Sequence, residues 1–302
     1  KSTLLRNSGL NFPFSIEKND NYKIKGIGGT QECDWWFSDQ AIFLDLAGKY
    51  TQCNNDSDQK SWLSFLSVLK KSRPKAPLNG IIVTLGLTEL MAFSENDRVK
   101  TVQNISERIK ELYSKLGQLI PIYFVFTKTD RIKGFENFFS SLTEQEKQQI
   151  WGVNLTDYLR QEDVPGFIEL RFNELVQKLT RSSFAKMSVE RDQVKKNAIF
   201  DFPHQFQAAI VCAQDLLKTF TKQNPYQEQV RIMGAYFVSN EQLAGEYVCK
   251  NSALSEKDNQ DKFIFTPQDN NQDLSNKKTS YFVNDFFHKL LFKNSDAFSA
   301  NK

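Results

Sequence analysis

Phosphate chemistry is the first possibility raised by the residues that open the chain. Lys1-Ser2-Thr3 has the form of the second half of a phosphate-binding loop, GxxxxGK[ST]. In a complete loop the lysine reaches the β- and γ-phosphates, and the hydroxyl that follows it holds Mg²⁺. We expect Lys1, Ser2 and Thr3 to bind nucleotide phosphate, and we expect the sequence to begin in the middle of this motif.

A second motif, Asp45-Leu46-Ala47-Gly48, follows an apolar strand-like run at 42–44. An aspartate at the carboxyl end of a strand can hold magnesium through water. A glycine three residues later lets the backbone approach the γ-phosphate. We therefore predict that Asp45 and Gly48 bind nucleotide and that Ser2, Asp45 and Thr30 hold Mg²⁺. Thr30 lies in a glycine-rich stretch, which is equally typical of an ordinary turn.

A third motif, Thr127-Lys128-Thr129-Asp130, follows the apolar run 121–126. In GTP-binding folds a TKxD element places the aspartate on the N1–H and N2–H₂ edge of guanine, and the aliphatic part of the lysine lies along the base. Thr127, Lys128 and Asp130 are therefore predicted to bind the base of GTP or GDP. Ser239 follows a strand-like run at 232–238 and is predicted to lie in a loop that touches the guanine.

Alternating strand and helix patterns supply the elements that position these motifs. Residues 34–44 are typical of a hairpin, and 80–85 and 121–126 of buried strands. Apolar residues repeat with helical spacing through 62–69 and 99–116. This alternation predicts an α/β fold of the P-loop GTPase-like class, with a mostly parallel sheet and helices on both faces.

The second half of the chain reads differently. Between 157 and 222 only helical patterns are found, with a break expected at Asp201-Phe202-Pro203. We predict a GTPase-like domain formed by 1–134 and 229–302, and an all-helical lobe at 135–228 inserted before the last strand. In this arrangement the strand at 232–238 pairs with the strand at 121–126.

Two expectations concern the C-terminal part. The polar stretch 250–279 predicts a long surface loop. Residues 280–292 have helical spacing, and we expect this helix to bury Phe282, Phe286 and Leu290 against the sheet.

Composition narrows the function classes. The 39 Lys and Arg residues nearly balance 36 Asp and Glu, and this net charge of +3 argues against affinity based on neutralising nucleic-acid phosphates. Four scattered cysteines and two histidines make a structural zinc site improbable. No run of about 18 apolar residues occurs, and the N-terminus does not have the pattern of a signal peptide.

The sequence also resembles one family in particular, the cytoplasmic part of the IcmF/TssM proteins. The pairing of DWWF with LDLAGKY carries the most specific part of this likeness. The similar segments cover nearly the whole chain: 1–13, 33–50, 70–85, 121–139, 150–153, 201–206, 224–242 and 280–292.

This resemblance implies a GTPase-like domain with a helical extension on the cytoplasmic face of a bacterial inner membrane. It also implies transmembrane helices and a large periplasmic part elsewhere in the protein. The implied setting is a type VI or type IVB secretion complex, with a small inner-membrane protein of the DotU/TssL type as partner.

Hydrolysis is less well supported than binding. Small GTPases of the Ras type have a water-positioning glutamine directly after DxxG, where this chain has Lys49. A charged lysine only donates hydrogen bonds, so it can stabilise phosphate charge but cannot accept a proton from water. Gln52 is a second candidate.

Three functions remain open at this point. The first is a nucleotide-binding switch that biases assembly, with weak or partner-dependent GTPase activity at most. The second is a degenerate fold that acts only as a scaffold, and the third is an energy-coupling NTPase.

Overall fold

The computed structural model of the protein describes residues 2–13, 33–52, 55–221, 230–239, 246–249, 263–266 and 280–292. The chain divides into two compact units. The first comprises Lys1–Gly80, Gln103–Ile120 and Asn284–Lys302, and the second comprises Ile81–Val102 and Pro121–Val283.

A two-stranded hairpin with accompanying helices forms the described part of the first unit. Its strands pair antiparallel, with Trp35 opposite Leu44 and Phe37 opposite Ile42, which confirms the predicted hairpin. Phe43 packs edge-on against Phe287, with ring centroids 5.5 Å apart. The elements are α1 (Ser2–Arg6), β1 (Cys33–Phe37), β2 (Ile42–Leu46), α2 (Lys49–Gln52), α3 (Asp56–Ser72) and a π-helical turn (Phe286–Leu291).

The predicted apolar stripe of α3 is confirmed, because Trp62, Leu66 and Leu69 are buried. Asn55 begins the helix by accepting a hydrogen bond from the backbone N–H of Asp58 at 2.8 Å. The long helix α5 (Glu95–Leu116) also follows the prediction, and its residues from Gln103 onward belong to this unit.

A four-stranded sheet in the order β3-β4-β6-β5 is the framework of the second unit. β3 and β4 run parallel, and so do β4 and β6, with Phe126 opposite Phe237. The predicted pairing of two strands more than 100 residues apart is therefore confirmed. The strands are β3 (Ile81–Gly86), β4 (Ile122–Thr127), β5 (Gly152–Asn154) and β6 (Ile232–Phe237).

Helices alternate with these strands along the chain of the second unit. Besides the first turns of α5, they are α4 (Leu87–Ala92), α6 (Phe135–Phe139), α7 (Glu144–Lys147), α8 (Val164–Val189) and α9 (Gln193–Thr221). Short 3-10 turns occupy Thr129–Arg131 and Tyr158–Arg160. The fold is thus α/β with a mixed sheet, while the assignment to the GTPase-like class and the predicted domain boundaries remain predictions.

The expectation that 135–228 is entirely helical is wrong at β5. These three residues pair antiparallel with β6, with Val153 opposite Ala235. A strand this short has too few residues for an apolar alternation to be visible in the sequence, and tertiary pairing decides its structure. A further hairpin joins β7 (Glu246–Cys249) to β8 (Phe263–Thr266), so the predicted surface loop at 250–279 contains a strand.

The predicted helix break at 201–203 is also wrong. Pro203 lies inside α9, and Phe202, Pro203 and Phe206 are all buried. A proline inside a helix costs about 3 kcal/mol. The burial of this aromatic stripe is the stabilising contribution that can offset that cost.

The break between α8 and α9 lies about ten residues earlier. The carboxylate of Glu190 accepts hydrogen bonds from the backbone N–H groups of Arg191 and Asp192, at 2.7 and 2.9 Å. These bonds lower the pKa of Glu190. Asp192 in turn accepts from the N–H of Val194 at 2.8 Å, so two acidic side chains set the turn.

At the C-terminal end of the described chain, Phe282 and Phe286 are buried as expected, whereas Leu290 is only half-buried. Phe282 has a φ of +66°, so it is not part of the helix. Helical geometry begins after it, later than the spacing predicts.

Candidate functional site

In the second unit, polar residues gather at the carboxyl ends of the parallel strands. Thr127 is the last residue of β4, and Lys128 follows it with a φ of +62°. A residue other than glycine in this left-handed region carries strain of about 1 kcal/mol, which persists only where the surroundings enforce it. Ligands of open α/β sheets bind at this end of the strands.

Two hydroxyl groups fix the loop that follows β4, which we call the TKTD loop (Thr127–Asp130). Thr129 is fully buried and donates its hydroxyl to the carbonyl oxygen of Val238, 3.0 Å away. Ser239 donates its hydroxyl to Oδ1 of Asp130 at 2.6 Å. The end of β6 therefore orients the carboxylate that we predict to read the base.

Ser239 is itself held by the backbone. It exchanges two hydrogen bonds with Tyr281, at 3.1 and 2.8 Å, and its side chain is fully buried. The sequence predicts Ser239 near the guanine, and the structure shows it bonded to Asp130. Its role in nucleotide binding remains a prediction.

Glu89 is a neighbour of the TKTD loop that sequence reasoning missed. Its carboxylate forms an ion pair with the ammonium of Lys128. Glu89 Oε2 is buried and has no hydrogen-bond partner among the described residues. The carboxylate lies directly against Gly86 at the end of β3, where a Cβ atom would collide with it. The available signal was its position, four residues after the end of the strand predicted at 80–85.

In the first unit, a hydrogen bond joins a residue predicted to bind phosphate to the DLAG motif. The hydroxyl of Ser2 donates to Oδ2 of Asp45 at 2.5 Å. Asp45 is 6% exposed, at the second-last position of β2. Sequence reasoning places Asp45 at a strand end, and the structure confirms this. Among the described residues, however, β2 pairs only with β1 and is not a strand of the four-stranded sheet.

The other predicted residues of this motif are less informative. Gly48 is exposed, and a Cβ atom there would meet nothing within 4 Å, so packing gives no reason for glycine. Lys49 lies over the ring of Tyr50, 5.2 Å from its centroid. Thr3 is half-buried in α1, and Gln52 ends α2. Lys1, Thr30 and the side chain of Gln52 lie outside the described residues.

Cys33, on β1 beside this pair, is a free thiol. Burial, together with the carboxylates of Asp34 and Asp45, raises its pKa to about 11. A thiol with so high a pKa stays protonated at neutral pH and is a poor nucleophile or metal ligand.

The donor set fits magnesium better than a transition metal. Within the described ranges no three His, Cys, Asp or Glu residues are placed to hold a metal ion. The hydroxyl of Ser2 and the carboxylate of Asp45 are hard oxygen donors. Mg²⁺ binds through one or two carboxylates, with water and substrate phosphate completing its shell. The pair therefore fits a magnesium ion that arrives with a nucleotide.

The parallel strands, the antiparallel strand β5 and the surrounding helices define an α/β protein with a mixed sheet. A search for helices able to cross a bilayer finds none within the described residues. No solved structure matches the chain.

Comparison with known families is more specific. The model of the IcmF-related N-terminal domain matches residues 55–302. The chain is also 34% identical over 296 residues to the type VI secretion system component TssM1 of Pseudomonas aeruginosa. The chain belongs to the IcmF-related family. The match covers 97% of this chain and 26% of TssM1, so the chain spans about a quarter of the length of that relative.

Proposed function

We propose that this chain is a guanine-nucleotide-binding module of a bacterial secretion complex. The observation that carries the proposal is the orientation of Asp130 by Ser239, 109 positions further along the chain. Holding a carboxylate in one geometry before the ligand arrives reduces the entropic cost of binding. The two acceptor oxygens of a carboxylate match the adjacent N1–H and N2–H₂ donors of guanine, whereas adenine lacks that donor pair.

Within the first unit, the Ser2 and Asp45 pair separately supports the proposal that this chain binds nucleotide phosphate with Mg²⁺. With nucleotide bound, Mg²⁺ neutralises phosphate charge, and these residues supply two of its oxygen donors. Gly48 leaves its stretch of backbone open to a phosphate oxygen. Lys49 stands where Ras-type enzymes place a glutamine, so we propose slow hydrolysis unless a partner supplies the missing group.

The decisive experiment compares GDP with ADP. Binding of each nucleotide is measured by calorimetry. Each charge-assisted hydrogen bond contributes about 1.5–3 kcal/mol, so two bonds predict a preference for GDP of about 100-fold or more. Asp130→Ala should remove the preference, and Asp157→Ala, an exposed carboxylate of the same unit, should keep it.

A second variant should change the nucleotide preference rather than remove it. Asp130→Asn presents an amide N–H donor, so it should favour xanthosine diphosphate, whose C2 carbonyl accepts a hydrogen bond. Equal GDP and ADP affinity in the unsubstituted protein refutes the proposed base recognition. If neither nucleotide binds, the domain acts as a scaffold.

We further propose that nucleotide state biases assembly at the cytoplasmic face of the inner membrane, with a DotU/TssL-type protein as the direct partner. Membership of the IcmF-related family and likeness to a type VI secretion component support this setting. The test is the affinity for that partner with GDP, with a non-hydrolysable GTP analogue and without nucleotide. Three equal affinities contradict a switch, and an affinity that changes only during hydrolysis favours an energy-coupling NTPase.

A further inference from the structure

A concave basic surface in the first unit has no part in the nucleotide site. It is a cavity of about 490 Å³ lined by Ser67, Lys70, Lys71 and Lys115. Lys70 and Lys71 come from the last turn of α3, and Lys115 from the last turn of α5. We call this cavity the basic groove.

The ends of the two helices are held together, so the groove is a built feature. The Nζ atom of Lys70 lies 3.9 Å from the position of a Cβ at Gly117, the residue that ends α5 with a φ of +73°. The side chain of Gln118 donates a hydrogen bond to the carbonyl oxygen of Lys75 at 2.5 Å. This bond ties the loop after α3 to the segment after α5.

Among the described residues, no carboxylate forms an ion pair with the lysines of the groove. Within the described part of the chain, Lys70, Lys71 and Lys115 make no ion pair, although all three are exposed. The nearest acidic residue along α5 is Glu111, and its two oxygens are bonded to Gln59 and Trp62. Arg108 also contacts Glu111, at 3.0 Å. The carboxylate of Glu111 is thus bound by these residues and not by the lysines of the groove.

Helix dipoles explain why lysines are tolerated here, since cations are favourable near helix C-termini. The same dipoles argue against a tight site for a free phosphate. Phosphate sites use converging backbone N–H donors at helix N-termini, whereas helix C-termini present carbonyl oxygens. A diffuse attraction to a negatively charged surface needs only exposed ammonium groups, which this groove has.

Two exposed apolar side chains lie beside the cations in sequence. Val68, next to Ser67 on α3, is 61% exposed, and Leu119, next to Gln118, is 53% exposed. Basic and apolar side chains together are the composition of surfaces that lie in the headgroup region of a bilayer. Inorganic phosphate or pyrophosphate has no apolar part that could contact Val68 and Leu119.

We propose that the basic groove docks this unit onto a membrane leaflet that carries anionic lipid headgroups. The lysines attract the headgroup phosphates, while Val68 and Leu119 contact the boundary of the acyl chains. This contact is independent of nucleotide binding.

Vesicle flotation with the 302-residue chain tests the proposal. Vesicles of phosphatidylcholine with 30% phosphatidylglycerol are compared with vesicles of phosphatidylcholine alone. Each basic residue near an anionic surface strengthens binding about fivefold, so Lys70→Gln, Lys71→Gln and Lys115→Gln together should weaken binding about 100-fold. The matched control is Lys100→Gln, Lys178→Gln and Lys195→Gln, which removes the same charge from exposed positions of the other unit.

Further conditions separate a lipid surface from a phosphate site. Raising the salt concentration should weaken the anionic binding, because screening shortens the range of the charges. Val68→Ser with Leu119→Ser should also weaken vesicle binding, and millimolar pyrophosphate should not displace the vesicles. Equal losses in the two lysine triples, no preference for anionic vesicles, or displacement by pyrophosphate each overturn the proposal. Circular dichroism of every variant establishes that a loss of binding is not a loss of fold.

Discussion

The TKTD loop of the second unit and the Ser2–Asp45 pair of the first unit are supported very differently. The TKTD loop follows a strand that is hydrogen-bonded on both sides. The hydroxyls of Thr129, within the loop, and of Ser239 hold it by hydrogen bonds. The Ser2–Asp45 pair rests on a five-residue helix and a two-stranded hairpin. The hydroxyl of Ser2 joins the two members by donating a hydrogen bond to Asp45.

This difference suits the two tasks that we propose for the two regions. A base is selected by fixed hydrogen-bond geometry, so a preorganised loop suits that task. A metal and phosphate site acquires part of its ligand set from the nucleotide, so fewer protein contacts are required beforehand. We therefore expect substitutions near the TKTD loop to lower the free energy of unfolding. Substitutions near Asp45 should mainly lower the affinity for the ligand.

The largest contrast is expected between two glycines. Gly134 begins α6 with a φ of +84°, and a Cβ there would lie 2.6 Å from the carbonyl oxygen of Ala198. The left-handed backbone and the collision together predict that Gly134→Ala lowers the free energy of unfolding by about 3 kcal/mol. Gly48→Ala has open space and should change it by under about 0.5 kcal/mol. Urea unfolding of both variants measures the contrast, and equal losses would contradict it.

A smaller contrast is expected between two hydroxyls. Thr129→Val keeps the shape of the side chain but leaves the carbonyl of Val238 without its buried donor, so we expect a loss of about 1–2 kcal/mol. Ser2→Ala acts on a part-buried bond near the start of the chain and should cost about half of that. Thermal unfolding under one set of conditions ranks the two variants. The reverse ranking would show that the pair at Asp45 is the more firmly supported site.

The ion pair at Glu89 should matter for the ligand more than for the fold. Both partners are over 40% exposed, so Glu89→Gln should lower stability by under about 1 kcal/mol. The lysine of a TKxD element is predicted to lie along the base, and Glu89 holds that lysine in place. We therefore expect weaker GDP binding with an unchanged GDP-to-ADP ratio, measured by calorimetry. A changed ratio would assign Glu89 to base recognition itself.

Much of this framework follows from the sequence, because long periodic segments have one compatible structure. The stripe of α3, the buried run of β4 and the hairpin at β1 and β2 all form where their patterns place them. The distant pairing of β4 with β6 follows from the need of a parallel sheet for another apolar strand.

The errors arise where local preference and tertiary packing disagree. Pro203 predicts a helix break, yet the buried aromatic side chains around it belong to one continuous helix. β5 is too short to show a pattern. Glu89 belongs to no motif, and only the structure reveals its contact with Lys128. Strand-end signals therefore indicated both Asp130 and the Ser239 that orients it, but not Glu89, which pairs with Lys128.

The remaining comparison is between one thiol in each unit. Burial and two carboxylates raise the pKa of Cys33 to about 11, and burial raises that of Cys212 to about 12. Since the thiolate is the nucleophile, a pKa two units above the ordinary 9.0 predicts alkylation of Cys33 about 100-fold slower than that of a free thiol at pH 8. Peptide mapping after iodoacetamide treatment resolves each cysteine separately.

The pH dependence of stability and of labelling tests what raises the pKa of Cys33. A pKa raised on folding means that the native state holds the proton more tightly, so this contribution to stability is present below pH 9 and is lost as pH rises toward 11. Asp34→Asn removes one of the carboxylates and should shift the labelling profile of Cys33 to lower pH, while that of Cys212 stays unchanged. If the Cys33 profile does not move, the carboxylate of Asp34 does not contribute to its raised pKa, which burial and Asp45 then set.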